Sequence, residues 1–192
     1  MLTPTTTLLD QGIGWTAARI AAVPAGRLDG PTPCPDWTLR QLLDHAVGSL
    51  TMLTDAVAAA AGAITGVGPD LGDAPALGPT AWDRAVARQA ARSRWAWQAP
   101  GIMDRSFDLP IGTLTAPVLA STTLLEVVLH GWDIGQANGD AAEIPDALAL
   151  PIIEFARQPL VDANRGDHFG PDLGTGGPPS DQLVAFLGRR PR

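Results

Sequence analysis

The sequence contains a single cysteine, Cys34, which excludes an intramolecular disulfide and fits a reducing compartment. Positive charge is also scarce: 13 basic against 20 acidic residues give a net charge of −7, so the basic surface that nucleic-acid binding requires is not expected. No run of 18 consecutive apolar residues occurs, and the N-terminus lacks the basic and apolar regions of a signal peptide. These absences predict a cytoplasmic protein without a nucleic-acid or membrane partner.

Lysine and tyrosine are missing altogether, so all 13 basic residues are arginine. Together with the many alanines, glycines and prolines, this indicates the codon usage of a GC-rich genome and not a functional device. The chain is 45% hydrophobic and only 17% charged, a balance that favours folding over disorder. Its 192 residues are enough for one domain with a proper core, so a single domain over 1–192 is expected.

Apolar residues recur at helical spacing between segments rich in glycine and proline. Capping and breaking residues predict helices at about 3–23, 38–61, 80–99, 115–138, 145–160 and 180–188. Thr38, with Gln41 three residues later, has the pattern of a capping box. Only "RSFDLPIG" suggests a brief extended piece. The pattern predicts an all-α fold: a four-helix bundle with long crossover loops and short extra C-terminal helices.

The stretch "TLLEVVLHGWDIGQANG" carries three polar side chains on one helical face. Glu126 and His130 are spaced i, i+4, and Asp133 follows three residues after His130. Leucine and valine surround Glu126 in the sequence. Because a buried carboxylate without a partner is costly, Glu126 needs a counter-charge, a hydrogen bond or a metal.

A second histidine, His45, lies in the apolar helical pattern "LRQLLDHAVGSL". If it faces His130 across the bundle, then His45, Glu126 and His130 form the donor set of a catalytic divalent-metal site with an open position. The alternative is structural: Glu126 pairs with an arginine, and each histidine bonds a carbonyl in the core. E-x-x-x-H on its own is a weak motif, and the shared apolar setting of the three residues strengthens the metal hypothesis.

Three further residues, Asp133, His168 and Cys34, are candidates for a role in the site. Asp133 either holds a ligand imidazole in its tautomer or accepts from a backbone N–H. His168, in "RGDHFGP", is interpreted as a loop residue and not as a ligand. Cys34 lies between two prolines with no activating base nearby in the sequence, and is interpreted as an inert or merely accessible thiol.

Two stretches, "TPCPDWTLRQLLDHAVG" and "LLEVVLHGWDIGQANG", together resemble actinobacterial metal-binding proteins related to the N-terminal domain of mycothiol-dependent maleylpyruvate isomerase, within the DinB/YfiT-like superfamily. The closing "FGP…LVAFLGRRP" is similar to the tail of a single-domain branch of that group. The resemblance implies a four-helix bundle whose divalent metal is held by His45, Glu126 and His130. Zinc fits best, and nickel, iron or manganese can occupy the same donors.

Active members of the family use mycothiol as an isomerisation cofactor or as the thiol in S-transfer. The isomerase carries an additional C-terminal domain and this sequence ends at Arg192 without one, so isomerisation of maleylpyruvate itself is not expected. The leading hypothesis is a mycothiol-dependent S-transferase or isomerase that acts on a small electrophile. The alternatives are a non-catalytic metal- or ligand-binding or stress-response module, and a structural bundle without a metal. The sequence does not specify whether the protein is catalytically active or which electrophile it uses. It also does not specify whether the protein is a monomer or a homodimer.

Overall fold

The computed structural model describes residues 4–70, 76, 78, 80–140, 142–160, 165 and 169–191. These residues form α1 (Pro4–Ala21), α2 (Leu39–Thr65), α3 (Ala81–Ala96), β1 (Ser106–Leu109), β2 (Gly112–Thr115), α4 (Ala116–Asn138), α5 (Asp146–Ala156) and α6 (Pro179–Phe186). The chain divides into two compact units, Met1–Gly139 and Asp140–Arg192.

The first unit is a bundle of four helices. Both α1 and α2 pack against α3 and α4, so the four helices close around a shared core. Fully buried leucines and isoleucines fill this core: Leu9, Ile13, Ile20, Leu39, Leu42, Leu43 and Leu119. The predicted all-α bundle is therefore confirmed, with two short helices following it in the second unit.

Capping residues set the start of α2 and α3. The Thr38 hydroxyl accepts from the backbone N–H of Gln41, and the Gln41 side chain accepts from the Thr38 N–H, which is the predicted capping box. Thr80 and Asp83 make the same pair of bonds in front of α3. The end of α2 was predicted four residues too early, because Gly62 was taken as the start of a loop. The helix continues through Gly62 to Thr65, and Gly66, in the left-handed conformation at φ 72°, ends it.

Glycine lets α1 approach α4 closely. A Cβ on Gly12 would meet the Leu124 side chain at 2.6 Å, and a Cβ on Gly131 would clash with Thr16. The Thr16 hydroxyl donates to the Val127 carbonyl oxygen at 2.9 Å, across the two helices. This packing fixes α4 at the turn that carries residue 130.

The segment before α4 is a hairpin. Strands β1 and β2 pair antiparallel, with Phe107 opposite Leu114. Gly112 begins the second strand at φ 116°, a conformation that other residues rarely adopt. The Ala116 N–H then donates to the Arg105 carbonyl oxygen at 2.9 Å, which ties the first residue of α4 to the start of the hairpin. The sequence indicated one extended piece here and missed its partner strand.

The second unit contains α5 and α6, which pack together. The last helix was predicted at about 180–188, but α6 begins at Pro179, and the buried Ser180 hydroxyl accepts from the Ile144 N–H at 3.0 Å. The buried guanidinium of Arg165 donates to the Phe186 carbonyl oxygen at 2.6 Å. His168 lies outside the described residues.

One described helix, α2, is long and apolar enough to cross a membrane by length and composition. Core helices of soluble proteins pass the same test, and α2 packs against α3 and α4 within the bundle. The helix is therefore weak evidence for a membrane partner.

Candidate metal centre

The packing of α2 against α4 brings His45 opposite Glu126 and His130. One ligand atom from each of the three residues lies within 4.8 Å of the others. The two imidazole rings have their centroids 4.8 Å apart and stand nearly perpendicular, at 87°. The juxtaposition that the sequence left conditional on helix packing is thus present in the fold.

Glu126 finds a partner one turn along its own helix. Its Oε2 atom lies 3.5 Å from Nε2 of His130, and the Glu126 side chain is 28% exposed against 9% for His130. The carboxylate therefore sits at the boundary between the apolar core and solvent, facing an imidazole that can carry positive charge. The contact with His130 offsets the free-energy cost of removing the Glu126 carboxylate from water.

Asp133 lies on the other side of the same imidazole. Its side chain has no exposed surface, and its Oδ2 atom is 3.3 Å from Nδ1 of His130. An ionised carboxylate only accepts hydrogen bonds, so Nδ1 donates to Asp133, while Nε2 faces Glu126. Of the two roles considered for Asp133, this geometry favours orientation of the His130 ring.

The carboxylates on both sides act on the protonation of His130. Burial alone would lower its pKa, but hydrogen bonds with Asp133, Cys34 and Glu126, together with the charge of Asp133, hold that pKa well above the usual value of 6.5. In the metal-free protein these partners favour the protonated ring, which lies between two carboxylates. The protonated ring carries a proton on each nitrogen, so a metal ion that binds Nε2 has to displace the proton on that atom.

Sequence reasoning missed the approach of Cys34 to this centre. Its Sγ atom donates to Oδ2 of Asp133 at 3.5 Å, although the two residues are 99 positions apart. The Thr32 hydroxyl fixes the loop by accepting from the Cys34 N–H at 3.1 Å while lying 3.0 Å from the Trp37 carbonyl oxygen. The one signal available was the position of this loop, directly before the helix that carries His45.

Trp37 also lies beside the two histidines of this centre. Its half-buried ring lies 4.4 Å from the His45 ring and 6.2 Å from the His130 ring, measured between centroids. On α2, Ser49 Oγ lies 3.5 Å from His45 Nε2. The tryptophan therefore forms an apolar wall beside the two histidines, and Ser49 offers a polar contact to one of them.

The donor set suits a divalent metal. Zinc bonds of about 2.0–2.2 Å to nitrogen and oxygen, at tetrahedral angles, place neighbouring donor atoms about 3.4 Å apart. The separation of 3.5 Å between His130 Nε2 and Glu126 Oε2 is close to that value. It is long for a charge-assisted hydrogen bond, which is usually about 2.7–2.9 Å. Two imidazoles and one carboxylate are also a donor set found in catalytic zinc sites.

Comparisons with known proteins agree with this architecture. A family model, the mycothiol maleylpyruvate isomerase N-terminal domain, matches residues 9–135, which include Cys34, His45, Glu126, His130 and Asp133. Two uncharacterized proteins of Mycobacterium tuberculosis, one from strain CDC 1551 / Oshkosh and one from strain H37Rv, are each 32% identical over 183 residues, covering 92% of both chains. No solved structure matches the chain significantly. The protein therefore belongs to the family of the mycothiol maleylpyruvate isomerase N-terminal domain.

Proposed function

We propose that the protein is a metal-dependent S-transferase or isomerase that uses a low-molecular-weight thiol. Mycothiol is the proposed co-substrate, and a small electrophile is the substrate. His45, Glu126 and His130 hold the divalent metal, zinc by preference. The observation that carries the proposal is the convergence of their donor atoms within 4.8 Å, inside a domain of a mycothiol-related family. We further propose that the protein acts in the cytoplasm.

The metal supplies one chemical function when bound: a thiol that coordinates it is deprotonated. A free thiol has a pKa of about 8.5, so only a few per cent is thiolate at neutral pH. His45, Glu126 and His130 would hold the metal with three protein ligands, the number typical of catalytic zinc sites, which would leave room for a thiol. The chain contributes one negative charge to this set, from Glu126, because both imidazoles are neutral as ligands.

The surrounding residues position the reactants. Asp133 fixes the ring of His130 with Nδ1 as the donor, so Nε2 faces the metal position. Trp37 lies beside His45 and His130, with ring centroids 4.4 and 6.2 Å away, and provides an apolar wall on that side. Its half-exposed ring also provides an apolar surface against which a small electrophile can pack.

The test uses cobalt in place of zinc and the Cys34→Ser variant, so that the added compound is the only thiol present. Mycothiol should produce a sulfur-to-cobalt charge-transfer band with the loaded protein and none with the stripped protein. Its reaction with a model electrophile should accelerate only when metal is present. Bound cobalt without a band, combined with the rate of free thiol in solution, would refute the catalytic proposal. That result would leave the non-catalytic binding module in its place.

A further inference from the structure

His130 belongs to a second group of donors besides the one on α2 and α4. Cys34, His130 and Asp133 each offer a ligand atom, and these atoms lie within 4.8 Å of one another. His130 and Asp133 are buried, whereas Cys34 is half-buried in the loop before α2. The two groups use opposite sides of one imidazole: Nε2 faces Glu126, and Nδ1 faces Asp133.

We propose that Cys34, Asp133 and Nδ1 of His130 form a second, thiolate-containing metal site, which competes with the first set for His130 and takes thiophilic divalent ions such as cadmium. This inference concerns binding alone and does not require that the protein turns over a thiol.

The spacing of the donors supports this site. Asp133 Oδ2 lies 3.3 Å from His130 Nδ1 and 3.5 Å from Cys34 Sγ. Zinc bonds of about 2.1 Å to nitrogen and oxygen and about 2.3 Å to sulfur, at tetrahedral angles, place these atom pairs about 3.4 and 3.6 Å apart. The nitrogen–oxygen separation is longer than that of a charge-assisted hydrogen bond, which is usually about 2.7–2.9 Å. Two of the three donor pairs therefore have the spacing that a zinc ion would impose, and the third pair, Cys34 Sγ and His130 Nδ1, lies within 4.8 Å.

Charge and ligand type distinguish the two sets. Thiolate from Cys34 and carboxylate from Asp133 together carry two negative charges, so a divalent ion is neutralised in the second set. The first set provides one negative charge, from Glu126. Soft thiolate ligands favour soft ions, whereas imidazole and carboxylate accept a wider range. Ion identity consequently decides which side of His130 is used.

The sharing of His130 makes occupation of the two sets antagonistic. A neutral imidazole has one free nitrogen lone pair, at Nε2 when Nδ1 carries the proton and at Nδ1 when the proton moves to Nε2. An ion bound by His45, Glu126 and Nε2 therefore keeps the proton on Nδ1, where it bonds Asp133. An ion bound by Cys34 and Asp133 requires the opposite tautomer.

The experiment titrates cadmium into the stripped full-length protein under reducing, anaerobic conditions and records thiolate-to-cadmium absorption in the ultraviolet. The wild type should give a band that saturates at a single ion per chain. His45→Ala, which removes only the first set, should keep it. Cys34→Ser should abolish it, and Asp133→Asn should weaken cadmium binding at least tenfold. Asp44→Asn is the matched control, because Asp44 is an exposed carboxylate on α2 that accepts from Trp82 Nε1, and it should bind cadmium as the wild type does.

Absence of the band in both the wild type and His45→Ala would overturn the proposal. So would an unchanged band and affinity in Asp133→Asn and His130→Ala, since Cys34 would then bind cadmium without the other two donors. Circular dichroism establishes that each variant is folded. Cadmium NMR of the wild type provides a measurement without substitutions: a resonance shifted towards thiolate-coordinated cadmium is expected, and one typical of nitrogen and oxygen ligands alone contradicts the second site.

Discussion

Replacing Asp133 by asparagine tests the geometry of the metal centre most directly, because the change keeps the shape of the side chain and removes its charge. An asparagine amide can donate to Nδ1 of His130, which would place the ring proton on Nε2, the atom that faces Glu126 and the metal position. Zinc would then bind to the disfavoured tautomer. We expect zinc affinity to fall about 10–100-fold, which corresponds to roughly 1.4–2.7 kcal/mol.

The assay is a competition titration of zinc against a chromophoric chelator, and the metal-free variant is titrated in parallel by NMR of the histidine rings. The pKa of His130 should fall in the variant, because the neighbouring carboxylate that stabilises the imidazolium is gone. Asp44→Asn makes the same chemical change at an exposed site on α2 and should leave zinc affinity and the His130 titration unchanged. Zinc affinity within twofold of wild type would refute the orienting role. A loss as large as in His130→Ala would instead make Asp133 a zinc ligand.

The remaining predictions concern the other residues of the centre. Alanine at His45, Glu126 or His130 should each remove most of the bound zinc, measured by elemental analysis after dialysis, and near-stoichiometric zinc in all three variants would reject the site. Cys34→Ser should keep both zinc and any thiol-transfer rate, since the proposed zinc ligands do not include it; loss of the rate in folded, zinc-loaded protein would indicate a nucleophilic role for Cys34. The metal-free protein should lose stability as pH rises. The raised pKa of His130 contributes to the free energy of unfolding fully below about 6.5 and is lost as pH passes its folded-state value. Denaturant unfolding across this range measures the effect, which should shrink in His130→Gln.

Local patterns in the sequence predicted each helix and the approximate start of each, because capping residues and the spacing of apolar residues are local features. The capping box at Thr38 and Gln41 appears in the structure where the sequence indicated it, and the fourth helix ends at 138, as predicted, before the left-handed Gly139. The spacing of Glu126 and His130 likewise fixed their contact, since residues four apart share a helical face. Whether His45 faced them depended on how α2 packs against α4, which no local pattern specifies.

Cys34 shows why the rest of the centre was inaccessible to sequence reasoning. Its environment in the sequence consists of two prolines and a loop, from which no base or carboxylate could be assigned. Its observed neighbour, Asp133, belongs to α4 and meets it only because the bundle brings the loop before α2 against that helix. A contact across 99 positions is a property of the tertiary fold, whereas the bond between His130 and Asp133 spans three positions and could be anticipated.

The carboxylate of Asp133 changes the charge balance that the three proposed ligands alone suggest. With neutral imidazoles and one carboxylate, a divalent ion would retain a single positive charge to attract a thiolate. Asp133 adds a fully buried negative charge 3.3 Å behind His130, so the centre as a whole is neutral before the thiolate arrives. The Asp133→Asn substitution should therefore act in opposite directions, weakening metal binding at limiting metal and tightening thiol binding at saturating metal. Weaker binding of both would mean that Asp133 acts through the geometry of His130 and not through charge.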